Sequence, residues 1–465
     1  MQTTISLLRF TTLLVCITGV AFAAGSPVKI EAALANPVML AGAKGPNYLR
    51  VAVTGENLTD SRPRVPLNVS IVIDRSGSMQ GEKIEAAKRA AKSAIERLRP
   101  NDIVSVIAYE TSVNIVQPAI RIDENTDKAA TRQQILAAID TITATGNTAL
   151  FAGVSMAAGE IRKDLLKDGR VNRIVLLSDG LANVGPSSPG ELAELGTSLG
   201  REGICVTTLG LGLDYNEDLM SKLASASDGN HMFIDSVEAL DRAYAMEFGD
   251  AMTVVARNVS VDIDCQDGVR PVRAIGRDAT IDKQKVRVVL GDISSGKTKY
   301  CLVELDMPYD KPASKIAATT WVSRLIHLGL VQSRYTASSP VDGEASSHPI
   351  AVRYTDRAEE VEQNVNKEVM VAAVQQIAAE RNELAMKLRD VGKVDEARQS
   401  FLSNQSYLNE NFSRYNDEQL RKDAETNGFA AQNLDPEKWK YNRKLQQEYQ
   451  VGTKKQGVIL EKSRR

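Results

Sequence analysis

The segment Leu67-Asn68-Val69-Ser70-Ile71-Val72-Ile73 runs directly into Asp74-Arg75-Ser76-Gly77-Ser78. Its first part is short, largely apolar and rich in β-branched residues, which predicts a strand buried on both faces. Glu82 to Leu98 follows, with Ile84, Ala87, Ala91, Ala94, Ile95 and Leu98 on one helical stripe. A buried strand, a small polar turn and an amphipathic helix in that order form the repeating unit of a parallel sheet. The unit recurs. Ile103 to Tyr109, Val113 to Gln117, Arg173 to Ser178, Ile204 to Leu211 and His231 to Ile234 read as strands. Lys128 to Ile142, Leu150 to Leu166, Glu191 to Arg201, Asn216 to Ala226 and Val237 to Thr253 read as helices. Residues 66–254 are therefore expected to form one doubly wound α/β domain.

Outside that domain the period changes. Val259 to Cys265, Lys285 to Leu290, Lys299 to Leu305 and Ser314 to Val322 alternate apolar and polar residues, the pattern of antiparallel strands with one buried face. Lys29 to Ala35 and Tyr48 to Gly55 read the same way but are too few to stand alone. Pairing of residues 24–65 with residues 255–336 would make the α/β domain an insertion in an antiparallel β-sandwich. The competing arrangement is a hairpin on the edge of the α/β sheet. Residues 337–356, rich in Ser with two Pro, read as a linker, and residues 357–424 as a helical hairpin turning at Gly392. Residues 425–465 are polar and basic toward their end and read as a mobile tail. At the other end, residues 1–23 carry one cation, an apolar stretch and Ala21-Phe22-Ala23, the features of a secretory signal peptide. An exported protein, periplasmic or secreted, is expected, with no transmembrane segment.

Composition narrows the function. The chain has 465 residues, 57 Lys plus Arg against 59 Asp plus Glu, and a formal net charge of -2. That balance argues against a nucleic-acid binder acting through a global basic field. Three His leave little for an imidazole-based metal or acid–base site. Four Cys, of which Cys16 lies in the signal region, do not make a disulfide scaffold. Cys265 and Cys301 either pair or are separately buried; Cys205 reads as a core thiol.

The candidate site comes from loops at strand ends, where ligand sites of open α/β sheets gather. Asp74, Ser76 and Ser78 follow the first strand, Thr148 precedes the helix from Leu150, and Asp179 lies in a Ser178-Asp179-Gly180 turn. All five offer oxygen, which suits a hard divalent cation, and the hydroxyls can ligate without adding charge. The order Asp74-x-Ser76-x-Ser78, Thr148, Asp179 resembles the metal-ion-dependent adhesion site of von Willebrand factor type A domains. The similarity extends from about Val65 to Thr253 and includes the inter-α-trypsin inhibitor heavy chains over that domain. The resemblance implies a Rossmann-like sheet, a Mg2+ ion (Mn2+ or Ca2+ as alternatives) held by these five residues, and a protein ligand whose acidic side chain completes the coordination. The function it implies is non-enzymatic, adhesion-type protein binding. A structural or assembly scaffold, associating without metal through the sandwich and helices, is the competing reading.

Gly291-Asp-Ile-Ser-Ser-Gly-Lys-Thr298 matches the phosphate-binding pattern G-x-x-x-x-G-K-[ST]. That chemistry requires a following helix whose amides meet the phosphates. Lys299 to Leu305 alternates as a strand, so a loop between two hairpin strands is expected and a nucleotide-binding enzyme is the remote alternative.

Overall fold

The computed structural model describes residues 27–43, 45–58, 64–122, 128–165, 169–266, 268–307, 325–337, 342–346, 350–457 and 459. The predicted signal peptide and the predicted strand Ser314 to Val322 lie outside these residues.

The chain opens with β1 (Val28–Leu34), β2 (Val38–Leu40) and β3 (Pro46–Gly55). The α/β region follows as β4 (Leu67–Asp74), α1 (Glu82–Glu96), β5 (Ile103–Tyr109), β6 (Val113–Arg121), α2 (Lys128–Asp140), α3 (Leu150–Arg162), β7 (Val171–Ser178), α4 (Pro189–Arg201), β8 (Ile204–Leu211), α5 (Glu217–Ala226), β9 (His231–Ile234) and α6 (Val237–Met252). Its sheet has the order β6-β5-β4-β7-β8-β9, parallel throughout except that β6 runs antiparallel to β5. β4 is central and every residue of it is buried. Leu67, Val69, Ile71 and Ile73 face α1, α2 and α6, whereas Val72 faces α3, α4 and α5, so two cores flank the sheet. Asn68 and Ser70 share the second face. Asn68 donates to the carbonyl of Ile161 (2.9 Å) and Ser105 bonds to Ser70 (2.9 Å), which satisfies both polar groups. From β4 the chain crosses to β5 on one side while β7 lies on the other. The strand order therefore reverses beside the carboxyl end of β4, where a crevice opens.

Leaving this region, the chain forms β10 (Val254–Cys265), β11 (Arg270–Ile275), β12 (Ala279–Asp282), β13 (Lys285–Ser294), β14 (Thr298–Asp306), β15 (Leu325–Ala337), β16 (Asp342–Ser346) and β17 (Ile350–Thr355). One sheet has the order β1-β3-β14-β11; the other is β12-β13-β10-β15-β17-β2, with β16 on β15. Val51, Val53, Cys301 and Val303 from the first meet Val261, Ile263, Val288 and Leu290 from the second in one apolar core. Strands on either side of the α/β region thus share a sheet, β3 lying antiparallel to β14 from Thr54↔Thr298 to Pro46↔Asp306. Cys265 and Cys301 are buried free thiols, and burial pushes them up to about 11 and about 12.

The Gly291–Thr298 segment departs from the expected hairpin. β13 and β14 do not pair with each other; the segment crosses from one sheet to the other, and no helix follows it. Its backbone is spent on fastening the α/β insertion. Ser295 N–H donates to Thr253 O (2.7 Å), Gly55 N–H to Lys297 O (3.0 Å) and Gly296 N–H to Gly55 O (3.0 Å). The chain's entry to and exit from the α/β region are held by one turn. Gly291 (φ +71°) is required there, because a Cβ would run into the Asp228 carboxylate.

The last elements are α7 (Ala358–Gln363), α8 (Lys367–Asp390), α9 (Val394–Tyr415), α10 (Glu418–Gln432) and α11 (Pro436–Lys455). α8 and α9 form the expected hairpin at Gly392 (φ +84°), and Val369, Ala372 and Ala373 of α8 pack on Ile275 and Leu302 of the sandwich. Two expectations are corrected. The predicted linker 337–356 contains β16 and β17, with Val352 and Tyr354 in the sandwich core. The predicted tail 425–465 holds the second half of α10 and all of α11. α11 returns to the α/β region because its cations meet acids there: Arg443 binds Glu217 and Asp218 (2.7 Å each), and Lys444 binds Glu217 (2.5 Å).

Candidate functional site

β4 ends on Asp74, which is fully buried. Its Oδ1 accepts the Ser76 N–H (2.8 Å), and its Oδ2 accepts the hydroxyls of Ser178 (2.6 Å) and Tyr109 (3.2 Å). Burial pushes the Asp74 carboxyl up, the bonds from Ser178 and Ser76 pull it down, and the charge of Asp179 pushes it up again. Burial also drives the Tyr109 phenol well up, with the Asp74 charge adding to it, so Tyr109 stays a hydroxyl donor. Two buried carboxylates at neighbouring strand ends form a local excess of negative charge.

After Asp74 the chain makes a single 3-10 turn at Gly77–Met79 and starts α1 beyond Gly81 (φ +80°). Met79 is inserted in the core and holds the turn down. Ser76 Oγ and Ser78 Oγ lie 3.0 Å apart, and Ser78 Oγ donates to Asp179 Oδ1 (2.7 Å). The other oxygen of Asp179 accepts the Lys83 ammonium (2.5 Å).

Thr148 enters from a third loop. Its N–H donates to Asn183 Oδ1 (2.8 Å), while its carbonyl accepts the N–H groups of Asn183 (3.1 Å) and Val184 (3.3 Å). The same loop is tied to the serine turn by Thr145 N–H to Arg75 O (2.7 Å) and Gly77 N–H to Gly146 O (3.0 Å). Glu110 braces this contact by pairing with Arg75 (3.0 Å). The Ser112 hydroxyl, ahead of the opposing effect of burial, and then Thr111 hold the Glu110 carboxyl down at about 2.

The sequence-predicted residues therefore meet. Gly180 marks their common space: a Cβ there would stand 3.1 Å from Ser78 Oγ, 3.3 Å from Thr148 Oγ1 and 3.8 Å from Ser76 Oγ. Three hydroxyls and the Asp179 carboxylate line a hollow that an added methyl would fill. The donor set is oxygen only, the Lys83 ammonium already stands against Asp179 as a cation, and these features fit a hard divalent ion. Among the described residues, no group of three or more His, Cys, Asp and Glu is placed so that it could hold a metal ion. The hollow is built instead from hydroxyls and the Asp179 carboxylate.

Sequence reading passed over Lys83, Tyr109, Glu110 and Asn183. Each acts through tertiary contact, and none lies in the Asp-x-Ser-x-Ser pattern. Ser178 did have a signal, since it precedes Asp179 in the quoted turn, but its bond to Asp74 crosses between strands.

Comparison with known proteins matches this geometry to a family. A family model described as von Willebrand factor type A domain matches residues 68–244. Protein sll0103 of Synechocystis sp. is 29% identical over 338 residues, covering 67% of this chain and 77% of its own. YfbK of Escherichia coli is 29% identical over 251 residues, 52% of this chain and 42% of its own. Human inter-alpha-trypsin inhibitor heavy chain H4 is 29% identical over 168 residues, 36% of this chain and 18% of its own. The chain thus spans less than half the length of two of these three relatives. Among solved structures, a von Willebrand factor type A protein from Catenulispora acidiphila superposes with a TM-score of 0.66 at 18% identity, over 86% of this chain and 91% of that one. The ArnB paralog VWA2 from Sulfolobus acidocaldarius gives 0.59 at 16% identity, over 92% and 98%. The family model and the fold likeness agree that residues 68–244 form a von Willebrand factor type A domain.

Proposed function

We propose that the protein is an exported, non-enzymatic binding protein whose type A domain grips an acidic side chain of a protein partner through a divalent cation. Domains of this type typically mediate protein–protein interaction. Asp74, Ser76, Ser78, Thr148 and Asp179 would hold the ion, Mg2+ first among the candidates with Mn2+ and Ca2+ as alternatives. When bound, the ion supplies a Lewis-acidic position that attracts a carboxylate. The supporting observation is the hollow beside Gly180, where three hydroxyls from two separate loops and one carboxylate converge. Hydroxyls supply oxygen without adding charge, and a shell built largely from them keeps a position for a further oxygen ligand from outside. Leu181, 59% exposed, adjoins the hollow and offers apolar contact beside the acid. Export rests on the signal-like first 23 residues.

The test is thermal unfolding with MgCl2 against EDTA. Wild type is expected to gain several degrees with Mg2+ because a ligand that binds only the folded state stabilises it. Asp179→Ala and Asp74→Ala should lose that gain; a Mg2+ response unchanged in both would sink the proposal. A metal-independent assembly scaffold is the second reading, favoured by the ion pairs that join α11 to the type A domain. Partner capture that survives both EDTA and Asp179→Ala would select it.

A further inference from the structure

Lys83 holds an unusual position for a surface cation. It lies in the first turn of α1, its side chain is 34% exposed, and its ammonium meets the fully buried Asp179 carboxylate at 2.5 Å. Arg75, the basic residue inside the serine turn, is turned away to Glu110. Among the described residues, Lys83 is thus the cation hydrogen-bonded to Asp179, while Asp74 accepts from Ser76, Ser178 and Tyr109. Charge counting makes its position consequential. The two carboxylates sum to two negative charges, which a divalent ion alone would neutralise. An ammonium retained on Asp179 would leave the buried cluster with an excess positive charge, and charges of one sign confined in a weakly solvated space repel strongly.

A second acceptor stands at the same end of the sheet. Asp214, on the loop between β8 and α5, accepts the Lys440 ammonium of α11 (2.6 Å). The Asp214 carboxyl is held below the usual range by that bond first, against burial, and then by the charges of Lys440, Lys83 and Lys444, so the Lys83 charge already acts on it. Asp214 is well exposed, leaving room for a second cation. A lysine suits such an exchange, with a point charge on a flexible four-carbon stem and no fixed bidentate geometry.

We propose that Lys83 is an internal competitor of the metal: its ammonium occupies Asp179 while the site is unloaded and moves to Asp214 when a divalent cation is bound. The inference rests on the metal reading of the site. It makes Lys83 a positioning residue that lowers cation affinity, the reverse of a supporting contact.

Isothermal titration of MgCl2 into EDTA-stripped full-length protein tests it. Lys83→Met should bind Mg2+ about fivefold or more tightly than wild type, the range set by a charge-assisted pair with one buried partner. Lys83→Arg, which keeps the cation, should stay at or below wild-type affinity. Asp214→Asn, which removes the second acceptor, should bind about twofold to threefold more weakly. Equal or weaker binding by Lys83→Met would overturn the proposal, because Lys83 would then be orienting Asp179 for the ion. Binding by wild type that Asp179→Ala abolishes keeps the metal reading intact in that case. Absence of binding in wild type and Lys83→Met alike would remove both.

Discussion

Gly180 tests the site at the scale of one carbon atom. Its backbone is not in the left-handed region, so alanine carries no conformational penalty there, and the added methyl would meet the hydroxyls of Ser78 and Thr148 at 3.1 and 3.3 Å. Both hydroxyls can give by a few tenths of an ångström, so the unloaded fold should tolerate Gly180→Ala with a change within about 1 kcal/mol. The hollow itself should not tolerate it. We expect the Mg2+-dependent rise in melting temperature to shrink by at least half while the melt in EDTA stays near wild type. A full Mg2+ response would show that the ion does not use this space. At this scale the sequence was informative about the donors and silent about what sets them. Asp74, Ser76, Ser78, Thr148 and Asp179 follow directly from strand ends and turns, because position along the chain dictates which edge they reach. Asn183, which fixes the Thr148 backbone, and Lys83, which covers Asp179, depend on which loops become neighbours, and no local pattern encodes that.

Helix α11 shows how an element can be misread when its partner is unknown. Its sequence is polar and basic, and a solvated tail is the usual outcome of such a stretch. Here the basic face has a specific counterpart. Glu217 and Asp218 sit in the first turn of α5, where acids are favoured by the helix dipole, and they attract Arg443 and Lys444 from more than 220 residues away in sequence. Lys444 is almost completely buried: its ammonium lies 3.8 Å from the Tyr215 ring centroid, donates to Tyr215 O (2.8 Å) and pairs with Glu217. Burial pulls the Lys444 ammonium below its usual range, opposed by Glu217. Lys444→Met keeps the stem and removes the charge. Glu217 retains Arg443, so the loss should be moderate, about 2 kcal/mol in urea unfolding, below the ~3–5 kcal/mol of a pair broken with no substitute. No loss would mean that α11 is held by Tyr441 against Phe233 and other apolar contacts. Strand β17 was missed for a related reason. Ile350–Thr355 does alternate, but flanking Ser and Pro residues mask it, and its partners β15 and β2 are remote or short.

The three parts of the molecule meet at Asp228. This residue lies in the turn between α5 and β9 with φ +59°, and its carboxylate receives Lys299 of the sandwich (2.8 Å), Lys455 of α11 (3.3 Å) and Arg277 after β11 (3.5 Å). One anion is thus shared by cations from both neighbouring parts, next to the turn that fastens the insertion. Asparagine tolerates positive φ, so Asp228→Asn removes charge with little backbone strain. Lys299, Lys455 and Arg277 would then face one another without their counter-charge, and we expect a loss of about 3 kcal/mol at neutral pH, within the range for breaking a buried pair. The pH dependence has a defined sign. Burial raises the Asp228 carboxyl, but Lys299, Lys455 and Arg277 more than reverse this and hold it well below its ordinary 3.8. A carboxyl depressed in the folded state binds fewer protons than in the unfolded chain, so its stabilisation is complete above the unfolded value and declines as pH falls below it. The stability gap between wild type and Asp228→Asn should therefore be constant from pH 5 to 7 and narrow below about pH 3.8. Urea midpoints at a series of pH values measure it. A gap that stays constant down to pH 3 would mean that the cluster is solvated enough for its charges not to couple, and that Asp228 does not join the three parts electrostatically.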